Sequence, residues 1–334
     1  MAITGPASYV PTMEEFNPHW LQANAGLEAQ PLVVRLPESN TAVAREQFEE
    51  MRDALLAQQD LVQERLVDQG IARGRINLKK AALLKQLNLL TSVLDGYFVG
   101  TEFHAGRPHA PSITDGKEAF LRPMQDAVNL WETINEGPAP AGVALPLTLS
   151  GNVTQESFAE AVEALKEAYK KEQRLALSLT LARGKRNLMQ EKIYAVMKGY
   201  REVVPGICAE FPELLTSLPR LTPLPGHTPA AVGAQAEFVA PDKSRVTHEA
   251  SEEKTIKCYQ LRGNAGEAYN EEDAMVLATH GPEAPPVFEV AFGLTQAGAR
   301  VALKVFVILE TGNEAGSKVM VVERPAAEKV QPAQ

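Results

Sequence analysis

The residues able to do chemistry are few and scattered. His104 and His109 lie five apart in Phe103-His104-Ala105-Gly106-Arg107-Pro108-His109, a loop by composition. Two imidazoles at that spacing can take a metal ion, but no carboxylate pair accompanies them, so the segment reads as a polar loop. His248 stands near Glu249, Glu252 and Glu253 and reads as a surface strand residue. Cys208 and Cys258 are the only cysteines. Two thiols make neither a disulfide framework nor a zinc site of about four ligands, and both read as buried side chains. Glu267, Asn270, Glu271, Glu272 and Asp273 cluster hard oxygens that could take calcium, but not in the spaced Asp-x-Asp-x-Asp-Gly order, so a solvated connection is the simpler reading. No Walker loop, dinucleotide glycine fingerprint, Gly-x-Ser-x-Gly elbow or His-Glu-x-x-His pair occurs. The long helical stretches contain no histidine, which removes the Glu-x-x-His pairs of a helical di-metal site. No catalytic, metal or cofactor-binding residue is therefore expected, and a metal-dependent enzyme is the weakest functional reading.

One pattern does stand out. Ala72-Arg73-Gly74-Arg75-Ile76-Asn77-Leu78 recurs 110 residues later as Ala182-Arg183-Gly184-Lys185-Arg186-Asn187-Leu188. The same ungapped offset pairs Glu46 with Glu156, Phe48 with Phe158, Leu55 with Leu165, Gln63 with Gln173 and Gly96 with Gly206. This is a tandem duplication, and a repeat sets the architecture. A glycine in a helix interior costs about 1 kcal/mol against alanine, so two copies imply a shared geometric reason. The expected reason is close helix packing at Gly74 and Gly184, with Arg73 and Arg183 on the solvated face. A phosphate or nucleic-acid contact is the weaker alternative.

The elements around the repeat follow from periodicity. From about Thr41 to Phe98 the chain has no proline, and Phe48, Met51, Leu55, Val62, Leu66, Leu83, Leu87, Leu90 and Leu94 recur at helical spacing. This predicts one very long helix, or two joined near Gly70 and Gly74. Lys117 to Glu136 reads as a shorter helix. A second long run follows Asn152 or Thr154 and ends near Val204, before Pro205 and Gly206. Charge is polarised along both runs. Residues 43–68 carry seven acids and three bases, a net −4, and 73–95 carry five bases and one acid, a net +4. In the second run, 153–178 hold five acids and four bases, and 183–204 hold six bases and two acids. Acidic starts and basic ends suit the helix dipole and favour antiparallel neighbours, within one chain or between chains. Before all this, residues 1–38 read as an extended arm with one short helix over Met13 to Gln22. Phe16 and Trp20 lie on its apolar side, ready to dock on its own helices or on a neighbour, with Pro18 near its first turn.

Past Pro219 to Pro229, read as a linker, the period changes to two. Candidate strands are 236–239, 245–248, 255–261, 274–279, 287–292, 300–310 and 318–323. Seven short strands in about 90 residues fit a β-sandwich. The stretch Phe306-Val307-Ile308-Leu309-Glu310-Thr311-Gly312-Asn313-Glu314-Ala315-Gly316-Ser317, followed by Lys318-Val319-Met320-Val321-Val322, resembles the closing hairpin of a fibronectin type III domain. It departs from that family in carrying Phe306 where a tyrosine is usual, and no tryptophan stands at the early core position. The whole layout also resembles a bacterial type with long helices followed by one such domain. The resemblance implies an immunoglobulin-like sandwich used for binding, spacing or display.

The expected organisation is therefore α then β: an arm over 1–38, an antiparallel long-helix bundle over 39–218 with repeats at about 41–98 and 151–207, a linker over 219–230, a sandwich over 231–325 and a flexible tail over 326–334. A formal charge of −9 and a pI near 5.4 argue against a generic nucleic-acid partner. No basic start followed by an apolar run marks a secretory signal, and no stretch reaches the roughly 18 apolar residues of a membrane span. That predicts a cytoplasmic chain or one exported by an unmarked route. The leading functional expectation is a structural protein that self-associates into a homo-oligomer or filament, with Phe16, Trp20, Arg73, Gly74, Arg183 and Gly184 as packing residues. The alternative is an adaptor that binds a protein or glycan through the sandwich loops.

Overall fold

The computed structural model describes residues 2–27, 31–36, 41–295 and 297–325, so the tail expected at 326–334 lies outside the described residues. The helical region contains α1 (Tyr9–Gly26), a two-stranded pairing of β1 (Val34–Arg35) with β2 (Ala42–Val43), α2 (Arg45–Tyr97), α3 (Glu102–Ala105), α4 (Lys117–Glu136), α5 (Gln155–Ile207) and α6 (Pro212–Thr216). Helices α2 and α5 each run 53 residues, about 80 Å at 1.5 Å per residue. Neither breaks at its central glycine. Helix α5 also runs through Pro205, because that residue sits in the last turn, where Cys208 N still donates to Val204 O.

Helix α1 is longer than the sequence predicts, and Pro18 lies in its interior rather than its first turn. Val10, Met13, Phe16, Trp20 and Ala23 are buried at helical spacing, while Pro18 faces outward. Burying a large apolar side chain is worth about 1.5–3 kcal/mol, so this stripe outweighs the roughly 3 kcal/mol cost of one interior proline.

The chain divides into two compact units, and the division cuts both long helices. Unit 1 takes the chain up to Val67 and again from Leu179; unit 2 is Asp68–Ser178. The division therefore differs from a single bundle over 39–218. Unit 1 packs Trp20, Val34, Phe48 and Leu55 against Ile193, Met197 and Tyr200. Unit 2 packs Trp131, Leu149, Phe158 and Leu165 against Leu83, Leu90 and Leu94. Each core thus combines the first half of one repeat's long helix with the second half of the other's. The two halves run antiparallel in each unit: Gln58 Nε2 donates to Ala182 O in unit 1, and Gln69 Nε2 to Glu172 Oε1 in unit 2.

The duplication extends beyond the long helices. Met13, Trp20 and Asn24 of α1 match Met124, Trp131 and Asn135 of α4, at the same internal spacing. Trp20 Nε1 donates to Leu32 O at 3.1 Å while Leu32 N donates to Asn24 Oδ1 at 2.9 Å. Trp131 Nε1 donates to Leu147 O at 3.2 Å while Leu147 N donates to Asn135 Oδ1 at 2.7 Å. Two residues on, Val34 pairs with Val43 in one copy and Leu149 bridges to Val153 in the other. Each tryptophan therefore clamps the extended strip that leads into its own long helix. A polar side chain at one repeat position secures the segment before each short helix: Lys80 Nζ donates to Ile113 O and Asp115 O, and Gln190 Nε2 to Pro6 O.

The C-terminal strands are β3 (Ala234–Val239), β4 (Lys243–His248), β5 (Ile256–Ala265), β6 (Met275–His280), β7 (Val287–Val290), β8 (Arg300–Leu309), β9 (Glu314–Gly316) and β10 (Met320–Glu323). They form two antiparallel sheets, ordered β3-β4-β7 and β10-β8-β5-β6, with β9 also on β8. Val246, Leu261, Phe288, Val301, Val305 and Val307 fill the space between them. The other face of β5 and β8 is buried too, around Cys258, Phe306 and Ile308, with the Arg262 guanidinium 4.1 Å from the Phe306 ring centre. The segment read as a linker is tied down within unit 1: Ile3 N donates to Leu221 O, Leu224 N to Thr311 O, and Arg201 Nη1 to Pro219 O.

Candidate functional site

The residues expected to mediate assembly fall into two groups. Phe16 and Trp20 are fully buried in the core of unit 1, where Trp20 lies 4.7 Å from the Tyr200 ring centre and 5.6 Å from Phe48. They pack inside their own chain, the first of the two docking places expected for the arm. The arm docks inward because its clamp and stripe complete a core that the long helices leave open on that side.

Gly74 and Gly184 do not mark a close helix contact. A Cβ at either position would meet nothing within 4 Å. Both lie on outward faces, each flanked by apolar side chains at helical spacing. On α2 the series is Ile71, Gly74, Leu78, and on α5 it is Leu181, Gly184, Leu188. Leu78 is 73% exposed, Leu181 66% and Leu188 61%. Spacings of three and four place each series on one stripe of its helix. Ile71 and Leu181 are the middle residues of their 53-residue helices. An open groove lined by Ala57, Leu61, Lys185 and Met189 lies in unit 1.

The arginines divide likewise. Arg73 is an exposed side chain whose Nε donates to Glu172 Oε1 at 3.0 Å within unit 2. Arg183 is not on a solvated face; with Arg186 it grips Asp273, whose carboxylate is wholly buried. Arg186 Nη1 lies 3.0 Å from Asp273 Oδ1. Gln63 completes the joint, its Nε2 donating to Asp273 O and its Oε1 accepting from Ala265 N. Asn270 Nδ2 donates to Asp273 Oδ2 at 2.9 Å. The acidic loop is thus not a solvated connection at Asp273; it is the joint by which the sandwich rests on α2 and α5. Lys257 of β5 also pairs with Glu15 of α1. Within unit 1 the sandwich is fixed to the helices rather than tethered.

The remaining candidates sit in packed or ion-paired settings. His104 Nε2 lies 3.1 Å from Asp95 Oδ1, beside Arg107 on the same carboxylate. Among the described residues no group of three His, Cys, Asp or Glu side chains could hold a metal ion. Cys208 and Cys258 are buried and unbridged, and burial raises the pKa of both. His248 is not a surface residue: it is 7% exposed, packed 4.4 Å from the Tyr259 ring centre. Burial lowers its pKa. No described helix is long and apolar enough to cross a membrane.

The fold is thus a long-helix region followed by an antiparallel β-sandwich, and its structural neighbours include fibronectin type III-like domains. A Fn3-like protein from Clostridium thermocellum matches at 15% identity and a TM-score of 0.24, over 30% of this chain and 99% of that one. The fn3 domain of human contactin 1 matches at 17% identity and a TM-score of 0.26, over 33% and 86%. Pectate lyase PelI from Erwinia chrysanthemi, in complex with tetragalacturonic acid, matches at 16% and 0.24; this chain spans 28% of that protein's length. No family model and no curated protein matches the chain.

Proposed function

We propose that this chain is a non-catalytic structural protein that associates with copies of itself through the outward faces of its long helices and carries a rigidly seated β-sandwich. The supporting observation is the repeated apolar stripe at the midpoint of each long helix. A leucine exposed alone is ordinary; one at the repeat-equivalent position of each long helix, each one turn past an outward glycine, is a recurring pattern.

The occupant we assign to it is a second copy of the chain, crossing antiparallel at the helix midpoint. That arrangement lays the −4 half of one α2 (43–68) along the +4 half of the other (73–95). The corresponding halves of α5 are −1 and +4, a poorer match, so α2 is the principal face. The outward glycine lets the two backbones approach, and the charge pattern selects the antiparallel register over the parallel one.

Light scattering of the full chain across concentration and salt tests this. The expected result is a mass that rises with concentration, falls with added salt, and drops to one chain in Leu78→Glu, with Leu188→Glu having the smaller effect. Both sites are exposed, so the fold should survive with changes within about 0.5 kcal/mol. A mass of one chain at every concentration would overturn the proposal and turn the search to a different partner for the sandwich loops.

A further inference from the structure

His248 ends β4 in one sheet and His280 ends β6 at the edge of the other. Their Nε2 atoms face each other at 3.1 Å. Each Nδ1 lies against a main-chain carbonyl oxygen: His248 Nδ1 is 2.8 Å from Glu249 O, and His280 Nδ1 is 2.9 Å from Gly281 O. A carbonyl oxygen can only accept, so each Nδ1 carries its ring's hydrogen. In the neutral rings both Nε2 atoms are then bare lone pairs, pointed at one another. That arrangement is repulsive unless a proton or a metal ion bridges them.

The geometry points to a two-nitrogen site for a borderline divalent transition metal of the Zn²⁺, Ni²⁺ or Cu²⁺ class, held between His248 and His280 and pinning the two sheets together. At metal–nitrogen distances of about 2.0–2.1 Å, two cis ligands stand roughly 2.9 Å apart at a right angle and about 3.4 Å apart at the tetrahedral angle. The observed spacing falls between these limits, so a metal set to one side of the Nε2–Nε2 line is within bonding distance of both nitrogens once each ring turns so that its lone pair lies roughly 40° off that line. The Nδ1–H to carbonyl bonds are the outer-shell contacts that fix tautomer and ring orientation in histidine metal sites. Imidazole suits this class of ion and not magnesium or calcium. Tyr259 and Phe288 flank both rings, with ring centres 4.4–5.6 Å away, and supply an apolar wall. The nearby Glu249 carboxylate is engaged with Gly233 N, and the Tyr259 hydroxyl accepts from Ser251 N. In this assignment water supplies the remaining ligands.

The test is a titration of the full chain with Zn²⁺ alone at pH 7.5, read by calorimetry and by ring ¹⁵N NMR. The expected result is that Zn²⁺ shifts the Nε2 signals of His248 and His280 together, and that His280→Gln weakens this binding by about tenfold or more. His280 is half-exposed, so this variant keeps the sandwich core; the wild-type ¹⁵N spectrum decides the matter even if it does not. Unchanged Nε2 signals at saturating Zn²⁺, or one proton retained between the two rings, would overturn the assignment. So would equal calorimetric binding by wild type and folded His280→Gln, which would place the metal at other histidines.

Discussion

Unit 1 and unit 2 are built from the same parts: a short helix with a clamping tryptophan, a strip that crosses it, and two antiparallel half-helices. They differ at a pair of matched positions. Ile76 lies in the apolar core of unit 2. Its counterpart Arg186 is equally buried, at 3% exposure, but reaches Asp273. One exchange of isoleucine for arginine, with Arg183 beside it, separates a helical core closed on itself from one that carries a sandwich. The comparison shows that a duplicated scaffold can gain a joint without changing its packing frame, provided the buried charge meets a partner.

Breaking the joint should have the largest effect. Asp273→Ala strands the buried Arg186 guanidinium and should cost about 3–5 kcal/mol, the usual loss when one member of a buried pair is removed. Hydrogen exchange should show the loss in β5, β6 and the Arg183 turn of α5, with residues 76–98 of unit 2 unchanged. Equal loosening of both units would show that the joint is not local to unit 1.

The clamps sharpen the comparison. Trp20→Phe and Trp131→Phe each remove one indole hydrogen bond to a leucine carbonyl. Each should cost about 1–3 kcal/mol. If the units are equivalent, exchange should rise around Leu32 in the first variant and around Leu147 in the second, by similar factors. A loss confined to one variant would mean that only one clamp secures its strip.

The smallest effect concerns a contact found in unit 1 alone. Asn17 Nδ2 donates to Glu49 Oε1 at 2.6 Å, and Arg45 pairs with the same oxygen. The matched positions of unit 2 are Val128 and Ala159. The Asn17 hydrogen bond, opposed by partial desolvation and helped by Arg45, lowers the Glu49 pKa below its ordinary 4.5. A depressed carboxylate favours the folded state above its unfolded pKa, and that contribution disappears as pH falls through the lowered folded value. Asn17→Ala should therefore raise the Glu49 titration midpoint in an NMR pH series, and an unmoved midpoint would assign the shift to Arg45.

Much of the fold was legible because its signals are local. Helical periodicity from Phe48 to Leu94 gave α2, and alternation through Val301 to Leu309 gave β8. Seven of the sandwich strands appear within a few residues of where the period-two runs placed them; β9, three residues long, fell inside a turn. The full duplication was harder to see, because the strips differ in length. Twelve residues separate Trp20 from Leu32, whereas sixteen separate Trp131 from Leu147. An ungapped offset of 110 therefore holds in the long helices and fails before them. The signal that was present lies in the only two tryptophans of the chain, each seven residues after a methionine and four before an asparagine. Asp273 left no such trace. Its partners Arg183 and Arg186 are some ninety residues away, and an aspartate in an acidic loop looks solvated until the fold buries it. The outward placement of Gly74 and Gly184 was equally hidden, since glycine permits close packing and an open face alike.

The exchange of half-helices also sets an order of events during synthesis. Unit 2 is a continuous stretch, Asp68–Ser178, and has every part of its core once α5 is half made. Unit 1 must wait for residues beyond Leu179, so Trp20 and Phe48 emerge more than a hundred residues before Tyr200, against which they close. At ~5–20 residues per second that gap is on the order of ten seconds. For that interval the beginning of the chain is a sticky, half-finished surface on the ribosome, and the late-arriving end of α5 is what retires it.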